Sequence, residues 1–134
     1  MSSNSLEQGS LEQLKALRPL LLRLHKELME GARIGYEQEH GSIPSTGEYF
    51  RLVLGHESFS WLRPISQLIV RVDERLAAKK PEVTESAEAI VLEAHKLLAP
   101  LEKGSKQHDR YHQALKHNPN IAVLYAEAMK LLDR

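Results

Sequence analysis

The chain has no cysteine in its 134 residues. That absence excludes disulfides, thiolate metal sites, iron–sulfur clusters and a cysteine nucleophile, and it leaves the compartment open. An excess of either charge is also lacking. Lys+Arg and Asp+Glu number 18 each. A balanced chain exerts no overall pull on nucleic acid or on an anionic membrane, so neither is expected as a partner. No uncharged apolar run approaches the ~20 residues that span a bilayer. The first residues, MSSNSLEQGS, carry no apolar segment behind a basic start and do not read as a signal peptide. The expectation is a soluble, cytoplasmic protein. No stretch alternates polar and apolar residues with period two over a useful length, which argues against strands. The G-x-S-x-G elbow, the P-loop and G-x-G-x-x-G are all missing. A non-enzymatic role is therefore favoured over catalysis.

What is present is helical periodicity. Apolar residues make up 42% of the chain, and its length suits one domain able to bury about two-thirds of its unfolded surface. After a flexible segment 1–9, the box Ser10-x-x-Gln13 marks a helix start. Ser5 and Gln8 offer the same box, but the glycine between the two copies favours Ser10. Leu14, Leu17, Leu21, Leu24 and Leu28 then trace one face of a helix over about 10–38. Pro19 inside that span either bends it or marks its true start. Gly41 and Pro44 punctuate a loop, and Ser45 with Glu48 forms the next capping box.

A second rod follows, with Phe59, Leu62, Ile65, Ile69, Val72 and Leu76 on its apolar face and a kink near Gly55 and Pro64. Pro64 is either a mid-helix kink or the first residue of a helix that begins there. Lys79, Lys80 and Pro81 close the rod. Thr84 is the expected cap of a third helix that carries Ile90, Ala94, Leu98 and Leu101, is kinked at Pro100 and ends by Gly104. The last rod is broken at Pro119, with Asn118 as N-cap, and its final helix carries Ile121, Leu124, Tyr125, Ala128, Leu131 and Leu132. The whole predicts an all-α, up-down bundle of about four long helices in one domain over 10–134.

Two kinds of site can be set on this frame. Seven histidines make a metal-binding bundle worth testing, holding iron, manganese or zinc through His25, His56, His95, His108 and His112. His108 and His112 are an i, i+4 pair on one side of a helix. Counting from the loops places His25, His95 and His112 at similar heights, with His56 near that level. Hemerythrin-like bundles use H-x-x-x-E and H-x-x-x-x-D, and neither spacing follows these histidines: Met29, Ser60 and Ala99 stand four residues after His25, His56 and His95. The plainer reading solvates His108, His112 and His117 and puts His25 at the edge of the core.

The other candidate is a protein interface. Trp61 either completes the core or, with Phe59 and Tyr49, lies in an apolar contact surface. Arg63 packs its stem beside them while its head seeks an acid, and an ion pair from Arg63 or Arg71 to another helix is more readily structural than functional. Asp73 is partly turned inward. Gly31 and Gly35, an i, i+4 pair, would let another helix approach closely.

WLRPISQLIVRVD, downstream of LHKEL, resembles a family of small bacterial proteins whose pattern is WLRP-x-S-x-LIV-x-x-D after a helix with LH-x-x-L. The resemblance covers Leu24 to Glu74. It implies kinship without an activity, so it gives no residue a role. The leading expectation is a non-enzymatic helical bundle that binds a protein partner or a second copy of itself through Trp61, Arg63, Phe59 and Tyr49. The metal-binding bundle is the alternative.

Overall fold

The computed structural model describes residues 2–79, 85–102 and 106–133. Among them every regular element is helical: α1 (Ser2–His40), α2 (Thr46–Gly55), α3 (Glu57–Ser60), α4 (Arg63–Ala77), α5 (Ala87–Leu98), a 3-10 turn (Ala99–Glu102), α6 (Lys106–His117) and α7 (Asn120–Leu132). None of these helices is long and apolar enough to cross a membrane. The α1 helix is the common partner of α3, α4, α5, α6 and α7. Its leucine stripe explains why. Leu14, Leu17, Leu21, Leu24 and Leu28 are all 0% exposed, and each burial contributes on the order of 2 kcal/mol. Around them close Leu62 ahead of α4, Ile65, Leu68 and Val72 of α4, Ile90, Ala94 and Leu98 of α5, and Ile121, Leu124 and Ala128 of α7.

Several expectations are corrected. The first helix does not start at Ser10. It begins at Ser2 and passes through Gly9 without a break. Neither glutamine of the duplicated box folds back as a cap: Gln8 bonds Glu12, and Gln13 donates to the Leu131 carbonyl at the end of α7 (2.9 Å). Tertiary partners for Glu7 and Gln13 outweigh the local box. Pro19 neither starts nor ends this helix. It removes the bond to the Lys15 carbonyl, but both residues are exposed, so water satisfies that oxygen.

The second rod is divided rather than kinked. Its α2 piece ends at Gly55, and His56 breaks the helix with extended φ −90° and ψ 138°. Pro64 sits in the first turn of α4, where a missing N–H costs nothing. At the third helix the side-chain cap is Ser86, whose Oγ accepts from the Ala89 N–H (3.1 Å). Thr84, Lys80, Pro81 and Gly104 lie outside the described residues. At the start of α2 the turn chemistry reads as the sequence suggests. Ser45 Oγ accepts from the Glu48 N–H (3.1 Å). The expected cap at Asn118 is shifted by one residue: α7 starts at Asn120 with Pro119 at the cap position, while Asn118 Oδ1 accepts from the Asn120 N–H (3.0 Å). The helix α1 ends at Gly41, whose φ of +87° suits glycine.

Gly31 and Gly35 have opposite roles. A Cβ at Gly31 would sit 2.8 Å from Ala114 Cβ and 2.9 Å from Ala114 Cα. The α1 and α6 backbones meet there at a distance only glycine allows. A Cβ at Gly35 would meet nothing within 4 Å.

Candidate functional site

The four expected contact residues, Tyr49, Phe59, Trp61 and Arg63, gather beside the C-terminal half of α1, around α2, α3 and the start of α4. The joint between α2 and α4 is built from caps. His56 Nδ1 accepts from the Ser58 N–H (3.1 Å) and so opens α3. Trp61 Nε1 donates to the Ser58 carbonyl (2.8 Å). Arg63 donates to the Leu54 carbonyl at the end of α2 rather than to an acid. Ser66 Oγ donates to the Arg63 carbonyl (3.0 Å). Most of WLRPIS thus serves to turn the chain from one helix into the next. Arg71 reaches the segment ahead of α5, with two bonds to Glu85 at 2.5 Å, and lies 3.9 Å from Glu93 of α5, while Asp73 pairs with Arg18 of α1.

An aromatic cluster fastens this joint to α1. Tyr36 lies 4.5 Å from the His40 ring, 5.1 Å from His56 and 5.8 Å from Phe59. Tyr49 meets Phe59 edge-on at 5.7 Å, and burial together with the Glu30 charge raises its phenol above the ordinary value. Of the four expected contact residues, Phe59 is 1% exposed and supports the surface from beneath. Trp61 and Tyr49 are half-buried, and Arg63 is exposed.

The five candidate metal ligands do not converge. Among the described residues no three of His, Cys, Asp or Glu are grouped to hold a metal ion. His25 lines an apolar groove, and burial lowers its imidazole below the ordinary value. His56 is a helix cap. His95 Nε2 faces Asp133 at 3.0 Å. His108 Nδ1 lies 3.0 Å from the Leu101 carbonyl, and its ring is 4.2 Å from that of His112. The equal heights inferred for His25, His95 and His112 do not bring them together: His25 faces the apolar groove, His95 faces Asp133, and His112 stacks on His108 of its own helix.

Of the concave surfaces beside the joint, two differ most in character. One is the apolar groove of about 220 Å³ between α1 and the α2–α4 joint, bounded by His25, Met29, Val53, Leu54, Phe59 and Arg63. Above it α2 presents Phe50 at 63% and Leu54 at 69% exposure, and the helix buries only Leu52. The other is a polar cleft of about 240 Å³ between α1, α3 and α6, whose walls include Tyr36, Ser58, Trp61, Arg110 and His117. Sequence reasoning missed Ser58, Arg110 and Tyr36. Gly35 was visible as a small residue, but nothing in the sequence showed that it leaves space rather than contact. Comparisons with protein-family models, with curated proteins and with solved structures return no match to this chain.

Proposed function

We propose that the protein is a non-catalytic helical module that pairs with a second copy of itself through α2. One observation carries this reading: Phe50 and Leu54, one helical turn apart, stand more than 60% exposed beside an apolar groove. Large exposed apolar side chains in a row, next to a cavity able to take them, mark an association surface. A second copy suits the charges. Glu48 and Arg51 sit together on the same helix, so a two-fold axis across α2 sets each acid against the partner's base. Trp61, Arg63 and Tyr49 border the contact, with Phe59 beneath it.

The helices behind this surface form, in the same proposal, an up-down arrangement of four rods: α1, the divided α2–α4, α5 and α6–α7. Its support is pairwise. Glu7 meets Arg75 and Gln13 meets Leu131 near one end of α1, while Glu27 meets Asn118 further along it. Light scattering on the eluting peak tests the pairing. A dimer of the 15.2 kDa chain is expected for the wild type, and a monomer with unchanged helical content for Phe50→Ser/Leu54→Ser. A wild type that stays monomeric at millimolar concentration overturns the reading.

A further inference from the structure

The polar cleft lies on another face and has a chemistry of its own. Ala32, Gly35 and Ala114, which carry little or no side chain, form part of its lining. One wall is Trp61, held in place by its bond to the Ser58 carbonyl. Arg110 and Lys116 bring positive charge, against one acid of the lining, Glu39. Arg110 does have an ion pair with Glu57 (3.2 Å), but Glu57 is 82% exposed, and a contact so open to water holds its cation weakly. The most telling residue is Ser58. It is 9% exposed, and it lines both this cleft and the adjoining hollow beside His40 and His56. Its N–H and carbonyl are engaged by His56 and Trp61, whereas its hydroxyl has no hydrogen-bond partner among the described residues. Among the described residues no buried side-chain polar atom is left without a partner, so this hydroxyl opens to the cleft, where a ligand can reach it.

We propose that this cleft binds a small aromatic carboxylate, its carboxylate on Arg110 and Ser58 and its ring against Trp61 over Gly35. Each part of the ligand follows from a part of the site. A guanidinium and a hydroxyl donor recognise a carboxylate, and charge-assisted bonds of that kind are the stronger ones. An indole beside small residues gives a planar ring an aromatic neighbour and room to lie against it. The volume admits on the order of ten non-hydrogen atoms, given about 30 Å³ per water in the liquid.

Trp61 is the chain's single tryptophan, so its emission reports on the cleft without a label. Benzoate is titrated against benzamide, its neutral isostere. Benzoate is expected to saturate with a midpoint below about 5 mM, and benzamide to bind at least about tenfold more weakly, since it lacks the charge. Arg110→Gln should weaken benzoate by a similar factor and leave benzamide unchanged. Gly35→Leu should fill the cleft and abolish binding, and its Cβ clashes with nothing. Thermal melts establish that each variant is folded, and Ser58→Ala, which should weaken benzoate at least about threefold, replaces Gly35→Leu if that chain does not fold. Equal binding of benzoate and benzamide, a benzoate midpoint above about 5 mM, or full binding by a folded Gly35→Leu protein overturns the proposal.

Discussion

The two ends of α1 are closed in different ways. At its N-terminal end the caps are long-range. Glu7 accepts from the Ala87 N–H (2.8 Å) and the Glu88 N–H (3.2 Å), and so covers the first two donors of α5, while Ser86 covers the third. The same carboxylate takes two bonds from Arg75, which is itself 5% exposed. Gln13 serves the last turn of α7 in the same manner. Residues 68 to 118 positions apart are tied together there, over a stripe of leucines at 0% exposure. At the C-terminal end the caps are local. His56, Trp61, Arg63 and Ser66 bond residues two to nine positions away. Residues 32–37 of α1 are all half-buried, and the clefts lie there. Long-range capping over a dry stripe suits an end that holds the fold. Short-range capping can shape a joint without filling the space around it, and that leaves surfaces for binding.

The largest expected difference between the ends is in side-chain truncation. Leu21→Ala, at 0% exposure, should cost about 2–5 kcal/mol in urea unfolding, as buried leucines do. Leu54→Ala, at 69% exposure, should change monomer stability by no more than about 0.5 kcal/mol. Equal costs would erase the distinction between a structural end and a binding end.

Next in size is the cap that joins α1 to α4 and α5. Burial by itself would raise the Glu7 carboxyl, but the Ala87 and Glu88 N–H groups and the Arg75 guanidinium outweigh it and hold the group below the ordinary 4.5. Glu7→Gln removes the charge and turns an amide toward two N–H donors, at a cost of about 1–3 kcal/mol. The sign of the pH dependence follows from the depressed value. The carboxylate's contribution is complete above the unfolded-state value near 4.5 and is lost as pH falls through the lower folded-state value. The gap in stability between wild type and Glu7→Gln should therefore be constant from pH 7 to 5 and shrink in more acid solution. A gap that persists at the acid limit would mean that the charge is not what Glu7 contributes.

How much of this was legible in the sequence follows the same division. The leucine stripe and the apolar faces of α4, α5 and α7 were readable because helical period and burial agree residue by residue. So was Ser45, whose cap partner is three residues away. The start of α1 was not, since the local signal at Ser10 competes with bonds from Glu7 and Gln13 to residues beyond position 80. The histidines misled for a related reason: chain position gives the height of a ring, not the neighbour it meets. Trp61, Arg63 and Pro64 were recognisable as a linked group, yet the bonds of Trp61 to Ser58 and of Arg63 to Leu54 depend on a full helix break at His56, where Gly55 signalled only a kink. The polar cleft was illegible because it is defined by what Gly35 lacks.

The two glycines give the smallest and most discriminating comparison. Gly31 and Gly35 lie one turn apart on the same helix, so intrinsic propensity treats them alike. In each case alanine should stabilise the helix by about 0.5–1 kcal/mol. Tertiary packing separates them. At Gly31 the new methyl would lie 2.8–3.1 Å from Ala114, including its backbone, and backbone cannot swing aside as a long side chain would. Overpacking of that kind costs about 1–3 kcal/mol, more than propensity returns. At Gly35 nothing opposes the methyl, and the propensity gain of about 0.5–1 kcal/mol should appear in full. Opposite signs for Gly31→Ala and Gly35→Ala in thermal or urea unfolding would locate the boundary between the packed and the open part of α1 within a single helical turn. If both variants are stabilised, α6 yields at Ala114 and the close approach is not a constraint on the fold. If both are destabilised, the cleft over Gly35 is closed in solution, and a ligand would have to open it.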